Sequence, residues 1–121
     1  MLKTYRDLKF WQNAYRVSLL VISLAKELPK DRISYILIRQ VIRSSASVGA
    51  NVAEGYGRFK GKEYARFLQI SLGSANETDY WLRLLRDIYP RFKTEIDAII
   101  SKNEESIKML TSSLNSLGKK S

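Results

Sequence analysis

The chain has no cysteine and no histidine. Lack of cysteine excludes disulfides and thiolate metal sites, and fits a reducing compartment. Lack of histidine removes the Glu-x-x-His pairs from which helical bundles build dimetal centres. Prolines are few, only Pro29 and Pro90, and three of the six glycines fall together as Gly55, Gly57 and Gly61. Long apolar runs are missing too. The longest lies near "VSLLVISLA", far short of the roughly 20 residues that span a bilayer. The start, "MLKTYRDLKFWQ", has no apolar stretch leading to a small-residue cleavage site, so a cytoplasmic protein without membrane contact is expected. Acidic residues are also scarce, 12 against 21 Lys and Arg, which leaves a net charge of +9.

The 121 residues, 45% of them hydrophobic and 27% charged, suit a single globular domain spanning 1–121 with its own core. The positive excess is uneven. Residues 1–66 carry 13 basic and 5 acidic groups, whereas 67–121 carry 8 and 7. A polyanion, if bound, belongs mainly to the first half, although the same charge also serves solubility.

Prolines and glycines divide the chain into four helical segments, at about 5–28, 31–55, 62–89 and 92–117, with a frayed "GKKS" tail. Almost nothing reads as a strand. The short connections force neighbouring helices to run antiparallel, giving an all-α, up-down-up-down four-helix bundle. In the first helix Leu8, Trp11, Tyr15, Ser18, Ile22 and Ala25 form a stripe at spacings of three and four. In the fourth, Ile96, Ile99, Ile100, Ile107, Leu110, Leu114 and Leu117 do the same.

The second helix presents Ile38, Val41, Ser45, Val48 and Val52 within an arc of roughly 80°, the expected core face. Arg32, Arg39 and Arg43 fall on the opposite side, followed by Ala46 and Ala50, which would let another backbone approach. A solvated charged face with helix-favouring alanines would look the same. The third helix has a wide apolar side, with Phe67, Leu68, Ile70, Ala75, Trp81, Leu82, Leu84, Leu85, Ile88 and Tyr89 covering about 200°. One core needs about half of that, so a homo-oligomer using this helix is expected.

Ser74 and Glu77 lie within the wide arc, where an unpaired carboxylate would be costly. With Asn51 and Glu54 at the end of the second helix, they compose an expected inward polar cluster that fixes register. Arg43 pairing with Glu54 of a neighbouring chain fits as well. The sharper alternative makes Glu54 and Glu77 an acid–base pair or bridging metal ligands, but no substrate pocket can be read beside them. No catalytic residue, metal or cofactor is expected.

"GYGRFKGKEY" has glycines among basic residues, yet it lacks Gly-Lys-Ser or Gly-Lys-Thr and no strand precedes it, so it is not a nucleotide-binding loop. It offers Arg58, Lys60, Lys62 and Arg66 beside Tyr56, Phe59 and Tyr64. Cations for phosphates and aromatics for unpaired bases suit single-stranded or irregular RNA. With Arg39 and Arg43, these four residues are the candidate nucleic-acid contacts. Tyr64, on the core phase of its helix, is expected to pack inward, while Phe59 fits either role.

Four stretches carry a resemblance across nearly the whole chain: "YRDLKFWQNAY", "RQVIRSSASVGANVAEGYGR", "KEYARFLQISLGSANETDYWL" and the proline after the first helix. The chain resembles the small four-helix-bundle proteins of intervening sequences in bacterial 23S ribosomal RNA genes. It departs from that pattern in "SVGAN", where the family usually has isoleucine and proline before alanine and asparagine, and in "NETDYWL". The resemblance implies a basic ring-like homo-oligomer, typically a homopentamer. It also implies similarity to the accessory variability determinant of diversity-generating retroelements, a pentamer that binds nucleic acid beside a reverse transcriptase. Two functions follow as expectations: a non-enzymatic nucleic-acid-binding accessory protein, with RNA as partner, or a scaffold that docks a protein such as a reverse transcriptase.

Overall fold

The computed structural model describes residues 3–58 and 61–120. Helix formation does not start at Tyr5, as the apolar spacing predicts. Thr4 instead caps a single 3-10 turn, Tyr5–Asp7, its hydroxyl accepting from the Arg6 N–H at 3.1 Å. Asp7 reaches back to accept from the N–H groups of Lys3 and Thr4 at 2.8 and 3.0 Å. Leu8 is extended (φ −76°, ψ 128°), and only then does α1, Lys9–Glu27, begin. A good cap placed one turn early produces this break, since it satisfies the orphan donors of its own short turn.

Leu28, extended before Pro29, ends α1. Asp31 caps α2, Arg32–Tyr56, accepting from the Ser34 N–H at 2.8 Å. The same carboxylate oxygen accepts from the Tyr89 hydroxyl at 2.9 Å, joining the start of α2 to the residue after α3, Gly61–Ile88. Pro90 opens a 3-10 turn, Pro90–Phe92, that leads directly into α4, Lys93–Lys120. The helix therefore takes in residues 118–120 of the tail expected to fray. Each helix packs on two neighbours, in the cyclic order α1, α2, α3, α4, which is the expected four-helix bundle.

The core has two apolar ends. One gathers Val21, Leu24, Val41, Leu82, Leu85 and Ile96, and the other Phe10, Val48, Val52, Leu68 and Leu110. Between them, and reaching into the second end at Asn13 and Ser71, lies a waist of small and polar residues. The Ser44 and Thr78 hydroxyls are 2.9 Å apart, Ser71 Oγ donates to the Val48 carbonyl at 2.9 Å, and Asn103 Nδ2 donates to the Ala75 carbonyl at 2.8 Å. Asn13 Nδ2 donates to the Lys102 carbonyl at 2.8 Å and to Ser106 Oγ at 2.7 Å. All these residues but Lys102 are buried, so their bonds avoid the cost of unpaired polar groups.

The stripe expected on α1 is not its core face. Phe10, Ala14, Val17, Val21, Leu24 and Leu28 are buried, while Tyr15 is 53% and Ile22 41% exposed. The apolar content of α1 runs around more than one face, and spacing alone cannot tell which stripe meets α4. On α2, Val41, Ser45, Val48 and Val52 are buried as expected, with Ile38 half-buried. On α3, Leu68, Ala75, Leu82 and Leu85 are buried, Phe67, Trp81, Leu84 and Tyr89 half-buried, and Ile70 and Ile88 exposed. The α4 stripe holds throughout, buried at Ile96, Ile99, Ile100 and Leu110 and half-buried at Ile107, Leu114 and Leu117.

Near the α2–α3 connection the helices touch. A Cβ on Gly55 would lie 2.6 Å from Phe67 Cβ, a collision that no rotamer change relieves. Gly55→Ala is expected to cost about 1–3 kcal/mol in urea unfolding. Gly73→Ala, where nothing lies within 4 Å, is expected to leave stability unchanged or raise it by up to about 1 kcal/mol. The Asp31 carboxyl is held below its ordinary value of 3.8 by the Ser34 N–H and then by the Tyr89 hydroxyl. A depressed folded-state value adds stability above the unfolded one, and that stability is lost as pH falls through the folded value. Asp31→Ala should therefore lower Tm at neutral pH, and the gap from wild type should narrow as melts are repeated below pH 3.8.

Candidate nucleic-acid interface

The six cations singled out from sequence divide by what surrounds them. Arg39 and Lys62 are exposed and form no ion pair among the described residues. Arg43 is not a free member of a stripe. Its guanidinium bonds to the Glu77 carboxylate of α3 and, through Nη2, to Gln40 Oε1 at 3.0 Å. Arg58 pairs with Glu54 at 3.3 Å and Arg66 with Glu63 at 3.7 Å. Both guanidinium groups also lie over the Phe67 ring, 5.3 and 4.9 Å from its centroid. Lys60 and Phe59 lie outside the described residues. Tyr64 packs inward, half-buried against the core end containing Phe10 and Leu68.

The polar cluster expected from Asn51, Glu54, Ser74 and Glu77 is split. Asn51 Nδ2 donates to the Ser47 carbonyl and hydroxyl at 2.8 and 2.9 Å, and Ser74 Oγ donates to Ser47 Oγ at 3.0 Å. Ser47, one turn before Asn51, is thus one more joint between α2 and α3. Glu54 points outward with 58% of its side chain exposed and belongs to Arg58. Glu77 finds the partner that burial arithmetic demands, but as Arg43 of the same chain together with the Trp81 indole, whose Nε1 donates at 2.9 Å. Those two donors, the indole first, hold its carboxyl below 4.5 against partial desolvation. The two carboxylates are thus engaged with different cations, and no group of three or more metal-ligating side chains occurs among the described residues.

Sequence reasoning passed over two features. The first is a groove between α1 and α2, floored by Ala46, Gly49 and Ala50 and walled by Tyr5, Trp11 and Tyr15. Trp11 stacks on Tyr15 with ring centroids 5.0 Å apart and meets Tyr5 edge-on at 5.1 Å. The small residues of "SSASVGAN" let these rings lie close to α2, and a Cβ on Gly49 would be 3.4 Å from Trp11 Nε1. The second is the set of cations on α1. Lys9 and Arg16 are exposed and have no ion pair among the described residues. Their i, i+7 spacing was the available signal.

Residues 6–112 match the family described as 23S rRNA-intervening sequence protein. The chain belongs to that family. The match embraces both core ends, the waist and the α2–α3 turn. Among solved structures, one of a protein with unknown function from the S23 ribosomal protein family of Bacteroides thetaiotaomicron VPI-5482 superposes with a TM-score of 0.79 at 27% identity, covering 87% of this chain and 97% of that one. No curated protein matches. No helix among the described residues is long and apolar enough to cross a membrane.

In this 23S rRNA-intervening sequence protein the cross-helix pair Arg43–Glu77 is open to water, with side-chain exposures of 55% and 35%. Water and salt screen such a pair, so a double-mutant cycle of Arg43→Ala and Glu77→Gln should return a coupling of about 1 kcal/mol or less.

Proposed function

We propose that this family member is a non-enzymatic nucleic-acid-binding accessory protein that acts on RNA as a basic homo-oligomer, the homopentameric ring implied by its resemblance. The observation that carries this reading is where the acids are spent. Glu54, Glu63, Glu77, Asp79, Asp87, Asp97, Glu104 and Glu105 all sit in ion pairs. Asp7 and Asp31 accept from backbone N–H groups, and Glu27 and Glu95 share a hydrogen bond. The surplus cations at Lys9, Arg16, Arg32, Arg39 and Lys62 thus face solvent without acidic partners among the described residues, as phosphate contacts require.

Self-association is supported by apolar side chains left outside the core. Tyr15, Leu19 and Ile22 are exposed on α1, while Ile33 and Ile36 are exposed early in α2 and Tyr80 and Ile88 late in the antiparallel α3. Two different apolar faces suit a head-to-tail contact, which closes into a ring when the rotation between neighbours divides a full turn. Repeating the cations around a ring multiplies weak phosphate contacts into firm binding. The same exposed faces favour a second reading, a scaffold docking a protein such as a reverse transcriptase, with the charge steering approach.

The test is sedimentation of the pure protein together with fluorescence anisotropy of a labelled hairpin RNA across a salt series. A single species above monomer mass, and affinity falling at least about tenfold between about 50 and 200 mM salt, are expected. Affinity indifferent to salt, or no RNA binding at all, sinks the nucleic-acid reading and leaves the scaffold.

A further inference from the structure

We infer that the cleft between α1 and α4, rather than the glycine turn after α2, is the main seat for the phosphate backbone. The inference rests on the nucleic-acid reading above. Lys9, Gln12 and Arg16 fall on one side of α1, at spacings of three and four, and line a cleft of about 310 Å³ with Lys102 of α4. Lys9 and Arg16 stand about 10 Å apart along the axis at the helical rise. Neither has an ion pair among the described residues, and both are exposed.

The floor of the cleft is rigid. Asn13 is 7% exposed, and its amide donates to the Lys102 carbonyl and the Ser106 hydroxyl, tying α1 to α4 beneath the cations. Gln12 donates to the Arg6 carbonyl at 2.9 Å, which anchors the capped turn at the mouth. One acid, Glu105, lines the cleft and contacts Lys102 at 3.7 Å, so three cations face a single carboxylate. The fixed floor sets the spacing of the two α1 cations, whose exposed side chains are ordered only when a phosphate arrives.

The glycine turn compares poorly. Among its described cations Lys62 alone is unpaired; Arg58 and Arg66 each already hold a glutamate and cover Phe67, so a phosphate must displace both contacts. The chemistry of the cleft also separates phosphate from protein. Apart from Met109 its lining is polar, whereas a protein partner needs apolar anchors at the centre of its contact. Two such anchors, Tyr15 and Ile22, are exposed on another side of α1. One helix therefore offers an apolar side for protein and a cationic side for a phosphodiester chain.

Two variants that remove equal charge separate the cleft from the overall field. Lys9→Gln/Arg16→Gln and Lys26→Gln/Lys108→Gln, the latter two exposed and outside the cleft, would be titrated against the same labelled hairpin RNA, after circular dichroism confirms that both remain helical. The cleft variant should bind about tenfold more weakly or worse, its salt slope smaller by about 1.5–2, while the control stays within about threefold of wild type. Equal losses in both variants, or a loss confined to the control, would overturn the cleft and leave RNA binding intact. Wild type that fails to bind RNA would overturn both readings. A poly-glutamate peptide that binds through Lys9 and Arg16 while RNA does not would reassign the cleft to an acidic protein.

Discussion

The waist of the bundle governs its architecture. Ser44, Thr78, Ser71, Asn13, Asn103 and Ser106 carry donors and acceptors into a region without bulk water, and their hydrogen bonds form only in one helix register. Sliding a helix by one turn would leave those groups unpaired, at a cost of about 1–3 kcal/mol for each. The apolar ends tolerate more, because leucine and valine pack against one another in many arrangements. Burial supplies cohesion at both ends, and the waist supplies alignment. Small waist residues also bring α2 and α3 close together, and Gly55 continues that approach to the end of the pair.

Helix number, order and approximate bounds were legible because they rest on local chemistry: two prolines, a glycine cluster, caps and a 3.6-residue period. The choice of face on α1 was not legible. "VSLLVISLA" is apolar around much of its circumference, and only the position of α4 settles that Val17, Val21 and Leu24 go inside while Tyr15 and Ile22 stay out. The start of α1 was missed because a cap can serve a single turn as well as a helix, and Thr4 and Asp7 do the former.

At the candidate interface, sequence singled out charged residues by density and so favoured the glycine turn. Density does not reveal whether a cation already has a partner. Glu54, Glu63 and Glu77 come within reach of Arg58, Arg66 and Arg43 through helical spacing in the first two cases and through packing of α3 on α2 in the third. The first two could have been anticipated from i, i+3 and i, i+4 positions. The third depends on the tertiary fold. The polar cluster was likewise half legible: Asn51 and Ser74 were on the page, but Ser47, which joins them, was concealed in a run of small residues.

Asp31 gives one carboxylate oxygen two duties, the cap of α2 and the acceptor for Tyr89 beyond α3. When the first turn of α2 opens, the tyrosine hydroxyl loses its acceptor in the same event, and the end of α3 loosens with it. Opening at this end of the bundle is thereby concerted: the amides of the first turn of α2 and the last turn of α3 should exchange with solvent deuterium as one unit. That shared acceptor couples the two ends, so fraying of either helix weakens the other.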